Sequence, residues 1–402
     1  LDVGKECFLE GDTVRATGQN VVRHVGGEDV ATFIPSALPP RDPPLQIDSK
    51  RTALLARAEQ ALARLEVAGE MVPSLDWFIY AFVRKEAVVS SQIEGTQATL
   101  VDLFEYEAED GEQPIDDVRE VCNYLDALKY ARGQLASPKG LPLSMRLLHE
   151  AHRRLMRGVR GQNKQPGEVR RSQNWIGGTR PGNAAFVPPP PEEVSGLLGD
   201  LEKYLHADDQ LPPLVRIGLA HVQFETIHPY LDGNGRIGRL LITLMLEHSK
   251  LLKAPLLYLS LFFKRHRGEY YRLLGEVRKN GDWEAWIDFF LEAVATIADE
   301  AVAAARDVFG LVNADRQRVL AASGASVIAI RLLDQLPVHP IVTIPRIVKL
   351  LETTKPTAGK AVQLLESIGV LRETSGKRRD RTFAYKRYLD KLRVGTELED
   401  RR

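Results

Sequence analysis

Cysteine is almost missing from this chain of 402 residues: there are two, Cys7 and Cys122, and no CxxC spacing. A disulfide scaffold or a cysteine zinc site is therefore not expected, and a reducing compartment is the natural setting. Net charge is missing as well, since 54 Lys and Arg balance 54 Asp and Glu. No global field draws the chain to nucleic acid or to an anionic membrane. Local fields remain: residues 105–120 are acidic, while 152–173 and 372–392 are basic. Long apolar runs are also lacking. The most apolar stretch, LLKAPLLYLSLFF at 251–263, is too short to span a bilayer and is interrupted by Lys253 and Pro255. The first twenty residues have no apolar centre of the kind a signal peptide needs. The expectation is a cytoplasmic protein with no membrane contact. No internal repeat is found.

What is present reads as a globular protein of two or three domains, 44% hydrophobic and 27% charged. Residues 1–50 read as mostly irregular, with FIPSALPPRDPPL (33–45) too proline-rich for a helix. From Ser49 onward apolar residues recur at three- and four-residue steps, the period of amphipathic helices. One such helix covers DWFIYAFVRKEAVVSSQIEG and stops at Gly95; another long one covers 282–321. Residues 172–193 break the pattern. There NWI and AAFV flank a Gly/Pro-rich turn, which predicts a hairpin, and four prolines at 188–191 end it. Beyond Gly324, three short helix candidates and a strand pair in RETSGKRRDRTFAY suggest a winged helix-turn-helix.

The most informative stretch is HPYLDGNGRIGRLL, residues 228–241, set between two apolar helical segments. Gly233 and Gly235 permit a tight turn and close approach of backbone to a ligand. The free N–H groups of the helix that follows point into that turn and suit an anion such as phosphate. Arg236 and Arg239 lie three apart near the helix start, which opposes the helix dipole unless an anion is bound. Asp232 is a nearby carboxylate of the kind that holds Mg2+ together with phosphate oxygens. His228 stands at the other end, with the side-chain chemistry of a base. Taken singly, a GNG turn, a loop Asp and a helix-ending His are ordinary features. Their joint spacing is not.

This stretch resembles the Fic signature, H-x-F-x-[D/E]-G-N-G-R-x-x-R, at His228, Asp232, Gly233, Asn234, Gly235, Arg236 and Arg239. Tyr230 replaces the usual Phe, so its hydroxyl needs a partner if buried. The resemblance extends over about residues 30–390: FIPSALPP is similar to an N-terminal segment of such proteins, and 166–194 to their flap region. It implies transfer of AMP from ATP to a Ser, Thr or Tyr hydroxyl of a target protein. His228 would then be the catalytic base and Asp232 the Mg2+ ligand. Gly233, Asn234 and Gly235 would cradle the phosphates, Asn234 also through its side chain. Arg236 would help hold them, and Arg239 would pair with the γ-phosphate. Trp175, Ile176, Gly177, Gly178, Thr179, Phe186 and Val187 would form a flap that clamps nucleotide and target. In SSQIEG (90–95), Ser90, Glu94 and Gly95 match the family's inhibitory helix, which implies autoinhibition through a Glu94–Arg239 pair.

The implied fold is mainly α: a Fic-type helical core with a β-hairpin flap, plus a C-terminal winged helix-turn-helix domain. The expected divisions are 1–140, an N-terminal helical region with the inhibitory helix; 141–322, the catalytic core; and 323–402, the winged helix. His149 and His152 are three apart with no third ligand in sight, so no zinc is expected, and His221 reads as a packing residue. Lys377, Arg378, Arg379 and Arg381 fit either a solvated turn or a wing on phosphates. The recognition helix expected at 355–368 carries only Lys355 and Lys360 as basic residues, so a DNA role and a protein-docking role stand level. Self-modification and a homodimer stay open, as do AMP removal, UMP or phosphoryl transfer, and a DNA-binding regulator with a vestigial Fic domain.

Overall fold

A computed structural model describes residues 15–71, 74–108, 115–208, 210–377 and 379–398. Cys7 and Arg378 lie outside them. The described chain opens with two strands, β1 (Gly18–Val25) and β2 (Glu28–Pro35). Eight helices lead to the centre of the molecule: α1 (Ser49–Met71), α2 (Leu75–Ile93), α3 (Leu100–Ala108), α4 (Asp116–Ala136), α5 (Met145–Leu155), α6 (Pro191–His206), α7 (Pro213–Ile227) and α8 (Asn234–His248). Then come α9 (Ser260–Arg265), α10 (Arg267–Asn280) and the 39-residue α11 (Trp283–Ala321). The last part holds α12 (Val327–Gln335), β3 (Ile341–Thr343), α13 (Ile344–Leu351), α14 (Lys355–Ser367), β4 (Arg372–Glu373), β5 (Thr382–Ala384) and α15 (Lys386–Leu392).

The fold is mainly helical, and α7 and α8 sit at its heart. All residues from Ile217 to Ile227 and from Arg236 to Leu246 are buried. Buried around their whole circumference although they carry His221, Glu225, Arg236 and Arg239, these two pack on each other and on α2, α4, α5, α6, α10 and α11. The loop 228–233 between them is thereby fixed at both ends by buried helices, with His228, Leu231 and Asp232 left partly exposed. Helix α1 runs along α11, with Arg57–Glu292 and Arg64–Asp299 pairs along the exposed seam.

Two expectations need correction. Residues 18–35 are not irregular but form an antiparallel hairpin, closed by Gly26 and Gly27, both at positive φ. A two-residue loop of that geometry matches strand twist, and the β-branched Val21, Val22, Val30, Thr32 and Ile34 on either side favour strands. The expected hairpin at 172–193 is reduced to one bridge, Ile176 to Phe186, around a short 3-10 turn at Pro181–Asn183. Paired glycines at positive φ (Gly177, Gly178) and Pro181 leave too little regular backbone for a ladder. The N-terminal hairpin holds this segment: Glu28 accepts from Gly182 N at 2.9 Å and pairs with Arg180, and Phe33 N donates to Val187 O at 3.1 Å.

After α11, the three helices α12, α13 and α14 come with a three-stranded antiparallel sheet of order β3-β5-β4. Asp315 of α11, fully buried, accepts from Tyr385 at 2.8 Å and pairs with Arg387 at 2.9 Å, so this unit is anchored on the same long helix as the core. The chain then returns to the end of α2, where Gln92 Nε2 donates to Thr396 O at 2.9 Å.

Candidate active site

The site is the loop between α7 and α8. His228 ends α7 in the left-handed conformation, φ +49°, which is uncommon for a residue with a side chain. Arg170 holds it there. Its buried guanidinium donates to the carbonyls of His228 (2.9 Å) and Pro189 (2.6 Å), and its backbone N–H to Pro229 O (2.9 Å). His228 Nδ1 faces the Glu225 carbonyl at 3.3 Å. A carbonyl only accepts, so Nδ1 carries the proton and Nε2 keeps its lone pair. Burial pushes the His228 imidazole down to about 4, with the Glu225 carbonyl bond opposing and Arg170 adding to the shift. The ring is therefore neutral, a free base, at neutral pH.

Tyr230 is buried, and its hydroxyl lies 2.9 Å from His149 Nδ1 while its ring stacks on His152 at 3.8 Å. This is the partner that a Tyr in place of Phe requires. His152 in turn bonds the Asp232 carbonyl through Nε2 at 2.9 Å. The two histidines thus brace the loop, and among the described residues no group of three or more His, Cys, Asp or Glu is placed to hold a metal. Asn234 differs from expectation. Its side chain is buried and closes the loop on itself, accepting from Tyr230 N and donating to Tyr230 O, each at 2.8 Å. Its side chain thus serves mainly to fix the loop, one amide hydrogen and the oxygen being engaged by Tyr230.

Gly233 caps α8 at φ +77°. Asp232 is partly exposed; its Oδ1 accepts from Gly233 N at 2.7 Å. A Cβ at Gly161 would crowd Oδ2, so a glycine keeps room beside that oxygen. One accessible carboxylate beside an anion nest fits a Mg2+ that takes its other ligands from phosphates and water. Arg236 is buried against Glu120 of α4 at 3.0 Å, with Asp232 at 3.7 Å. Its charge is largely spent on holding the loop, and Glu120 also accepts from Thr96 at 2.9 Å.

Arg239 is buried too. Its Nε donates to Ser90 Oγ at 2.9 Å, and its Nη2 to Ser90 O at 2.9 Å and to Glu94 Oε1 at 2.7 Å. Ser90 and Glu94 lie on the last turn and at the cap of α2, which Gly95 ends at φ +97°. Burial pushes the Glu94 carboxyl up, but Arg239, with Arg236 adding to it, outweighs this and holds it below the ordinary range. The same carboxylate lies over Gly235: a Cβ there would clash with Glu94 Oε1. An anion from α2 therefore already sits at the start of α8. Of the flap residues, Trp175, Gly177, Gly178 and Thr179 are exposed, Ile176 and Phe186 half-buried, and Val187 buried. The sequence reading missed Glu120, Arg170 and Glu225. Glu120 and Arg170 were read only as members of an acidic and a basic stretch and Glu225 as an ordinary helix residue, and burial alone marks them.

Comparison with known proteins points to the Fic/DOC family. A model described as Fic/DOC family N-terminal matches residues 52–133, and one described as Fic/DOC family matches residues 142–246. A Drosophila erecta protein named Protein adenylyltransferase Fic is 29% identical over 259 residues, 63% of this chain and 46% of that protein. Its Aedes aegypti namesake is 30% identical over 187 residues, 46% of this chain and 34% of that one. The chain thus spans less than half the length of these two curated relatives. A solved Fic family protein from Desulfovibrio desulfuricans superposes with a TM-score of 0.54 at 23% identity, covering 85% of this chain and 97% of the other. That is a likeness of fold.

Proposed function

From the premise that the chain belongs to the Fic/DOC family, we propose that it transfers AMP from ATP to a hydroxyl of a target protein. The observation that carries this reading is the Glu94 carboxylate held by Arg239 over Gly235. It is an anion in a site built for anions, beside a neutral imidazole.

In this reading His228 Nε2 takes the proton of a Ser, Thr or Tyr hydroxyl. The oxygen attacks the α-phosphorus, the bond to the β-phosphate oxygen breaks, and pyrophosphate leaves. The N–H groups at the start of α8 receive phosphate oxygens, and Arg239 receives the γ-phosphate once Glu94 gives way. Arg236, already paired with Glu120, acts mainly by keeping the loop in shape. Asp232 would hold a Mg2+, which supplies charge neutralisation to the phosphates. The flap, with Ile176 and Phe186 facing the groove beside α10, would cover nucleotide and target. Glu94 makes the resting protein autoinhibited. The unit α12–α15 is read as a winged helix whose exposed Lys377 and Arg379 offer phosphate contacts.

Intact-mass measurement after incubation of the full chain and its Glu94→Gly variant with each of the four nucleoside triphosphates and Mg2+ tests the proposal. An added AMP unit with ATP supports it. An added UMP unit or a bare phosphate would assign a different chemistry, and no addition to self or to proteins of a lysate would refute transfer.

A further inference from the structure

Glu225 lies one helical turn before His228 on α7 and is 7% exposed. Its Oε2 is 4.0 Å from His228 Nδ1, and its Oε1 has no hydrogen-bond partner among the described residues. The carboxyl fits there because residue 238 is glycine: a Cβ on Gly238 would clash with Oε1. A buried carboxyl with an unpaired oxygen is a costly arrangement that packing alone would not select. It is also not needed for the imidazole's tautomer, which the Glu225 backbone carbonyl already sets.

Resting on the reading of His228 as the base, we infer that the Glu225 carboxylate is a positioning residue for that histidine: it stands behind the ring and provides the counter-charge the imidazolium needs as Nε2 takes the hydroxyl proton. No bond to Glu225 forms or breaks. The proton passes from the hydroxyl oxygen to Nε2, and Nδ1 keeps its own.

The groups that face Glu225 set when it is charged. On α7 these are His228 and the neutral His221; on α8, Arg239; on α10, Arg278 and Tyr270; from the cap of α2, Glu94. Burial pushes its carboxyl up, Arg239 and Arg278 pull it down and Glu94 pushes it up, leaving it at about 7. Below that value the carboxyl is neutral and gives the imidazolium no support. Above it the anion is present while His228 is still neutral, which is the combination a base requires.

The experiment compares wild type with Glu225→Gln and Glu225→Asp, using the full chain with Mg-ATP. The expected kcat of the wild type rises through pH ~7. In the Gln variant kcat falls at least ten-fold or so, a part of the roughly 10²–10⁴-fold that a positioned base supplies, and is flat from pH 6 to 9 with KM for ATP unchanged. The Asp variant restores part of the rise. A Gln variant with wild-type rate and pH dependence would overturn the inference. An arm independent of turnover follows the His228 ring resonances by NMR, assigned through His228→Ala. A shift with a midpoint near pH 7 is expected in wild type and its loss in the Gln variant; no such step in folded wild type also overturns it. Transfer by His228→Ala would instead sink the base reading, while the NMR arm still reports on the Glu225–His228 contact.

Discussion

On the proposed function, Glu94→Gly separates the two anions that would compete for Arg239. In the resting protein the guanidinium donates to Ser90 twice and to Glu94 once, at 2.7 Å. The substitution leaves the Ser90 bonds in place and strips the charge of its only carboxylate partner in direct contact among the described residues. A charge-assisted hydrogen bond is worth about 1.5–3 kcal/mol. If the γ-phosphate gains that bond, and the α-phosphate aligns with His228 as a result, the rate rises roughly ten- to a hundred-fold. The same change has the opposite sign without nucleotide. Arg239 is buried, and breaking one partner of a buried pair leaves a poorly compensated charge. The nucleotide-free variant should therefore unfold at a lower temperature than wild type, and ATP should raise its midpoint by more, because a ligand stabilises in proportion to its binding. The assays are AMP incorporation over time and thermal unfolding with and without Mg-ATP, for wild type, both single variants and the Glu94→Gly, Arg239→Ala pair. The rate gain should vanish in the double variant, since both residues act through one contact. A Glu94→Gly protein that is no faster than wild type, with ATP stabilising both equally, would refute the reasoning and leave SSQIEG as a helix end.

Asp232→Ala should lose most activity together with its dependence on Mg2+, while thermal stability changes little because the carboxylate is partly exposed; wild-type turnover that persists in excess chelator would count against the metal role. Stability should fall as pH drops from ~6.5 towards 4. Burial depresses His152 and His228 to about 4 and His221 to about 3, so the unfolded chain binds protons in that window that the folded chain refuses, each worth up to about 1.4 kcal/mol per pH unit. Glu225, raised to about 7, works in the other direction, its contribution full below its unfolded value and lost as pH rises through 7; burial also raises Glu86 and Glu247, while His339, depressed to about 4, and the lowered His149 and His248 add to the histidine side. An unfolding midpoint that stays constant between pH 6.5 and 4.5 would contradict this. Changing Lys377 and Arg379 together to Ala should weaken any duplex DNA binding and flatten its salt dependence, read by fluorescence anisotropy at several salt concentrations; no binding by the intact chain in low salt would mark the C-terminal unit as a protein-docking module.

The loop 228–239 was legible because binding an anion by backbone is a local property. It needs glycines at set positions, a helix start and nearby cations, all contiguous in the chain. Helix α2 with its end at Gly95, the long α11, and the three short helices after it were legible for a related reason: period and punctuation act over a few residues. Tertiary structure decided which polar side chains have a partner. Glu120 meets Arg236 across 116 residues, Glu94 meets Arg239 across 145, and Arg170 holds His228 across 58. Taken by themselves in the sequence, Glu120 and Glu94 look like solvated helix residues and Arg170 like a loop residue; only the family resemblance implied the Glu94–Arg239 pair. Burial changes that, because a desolvated charge is tolerated only with a counter-charge or hydrogen bonds in place. Folding also turned the Asn234 side chain inward onto Tyr230, spent Arg236 on the loop rather than leaving it open, and set Glu225 behind His228 in a gap that Gly238 leaves. Spacing along the chain carries no information about those choices, since they depend on which helices pack against α7 and α8.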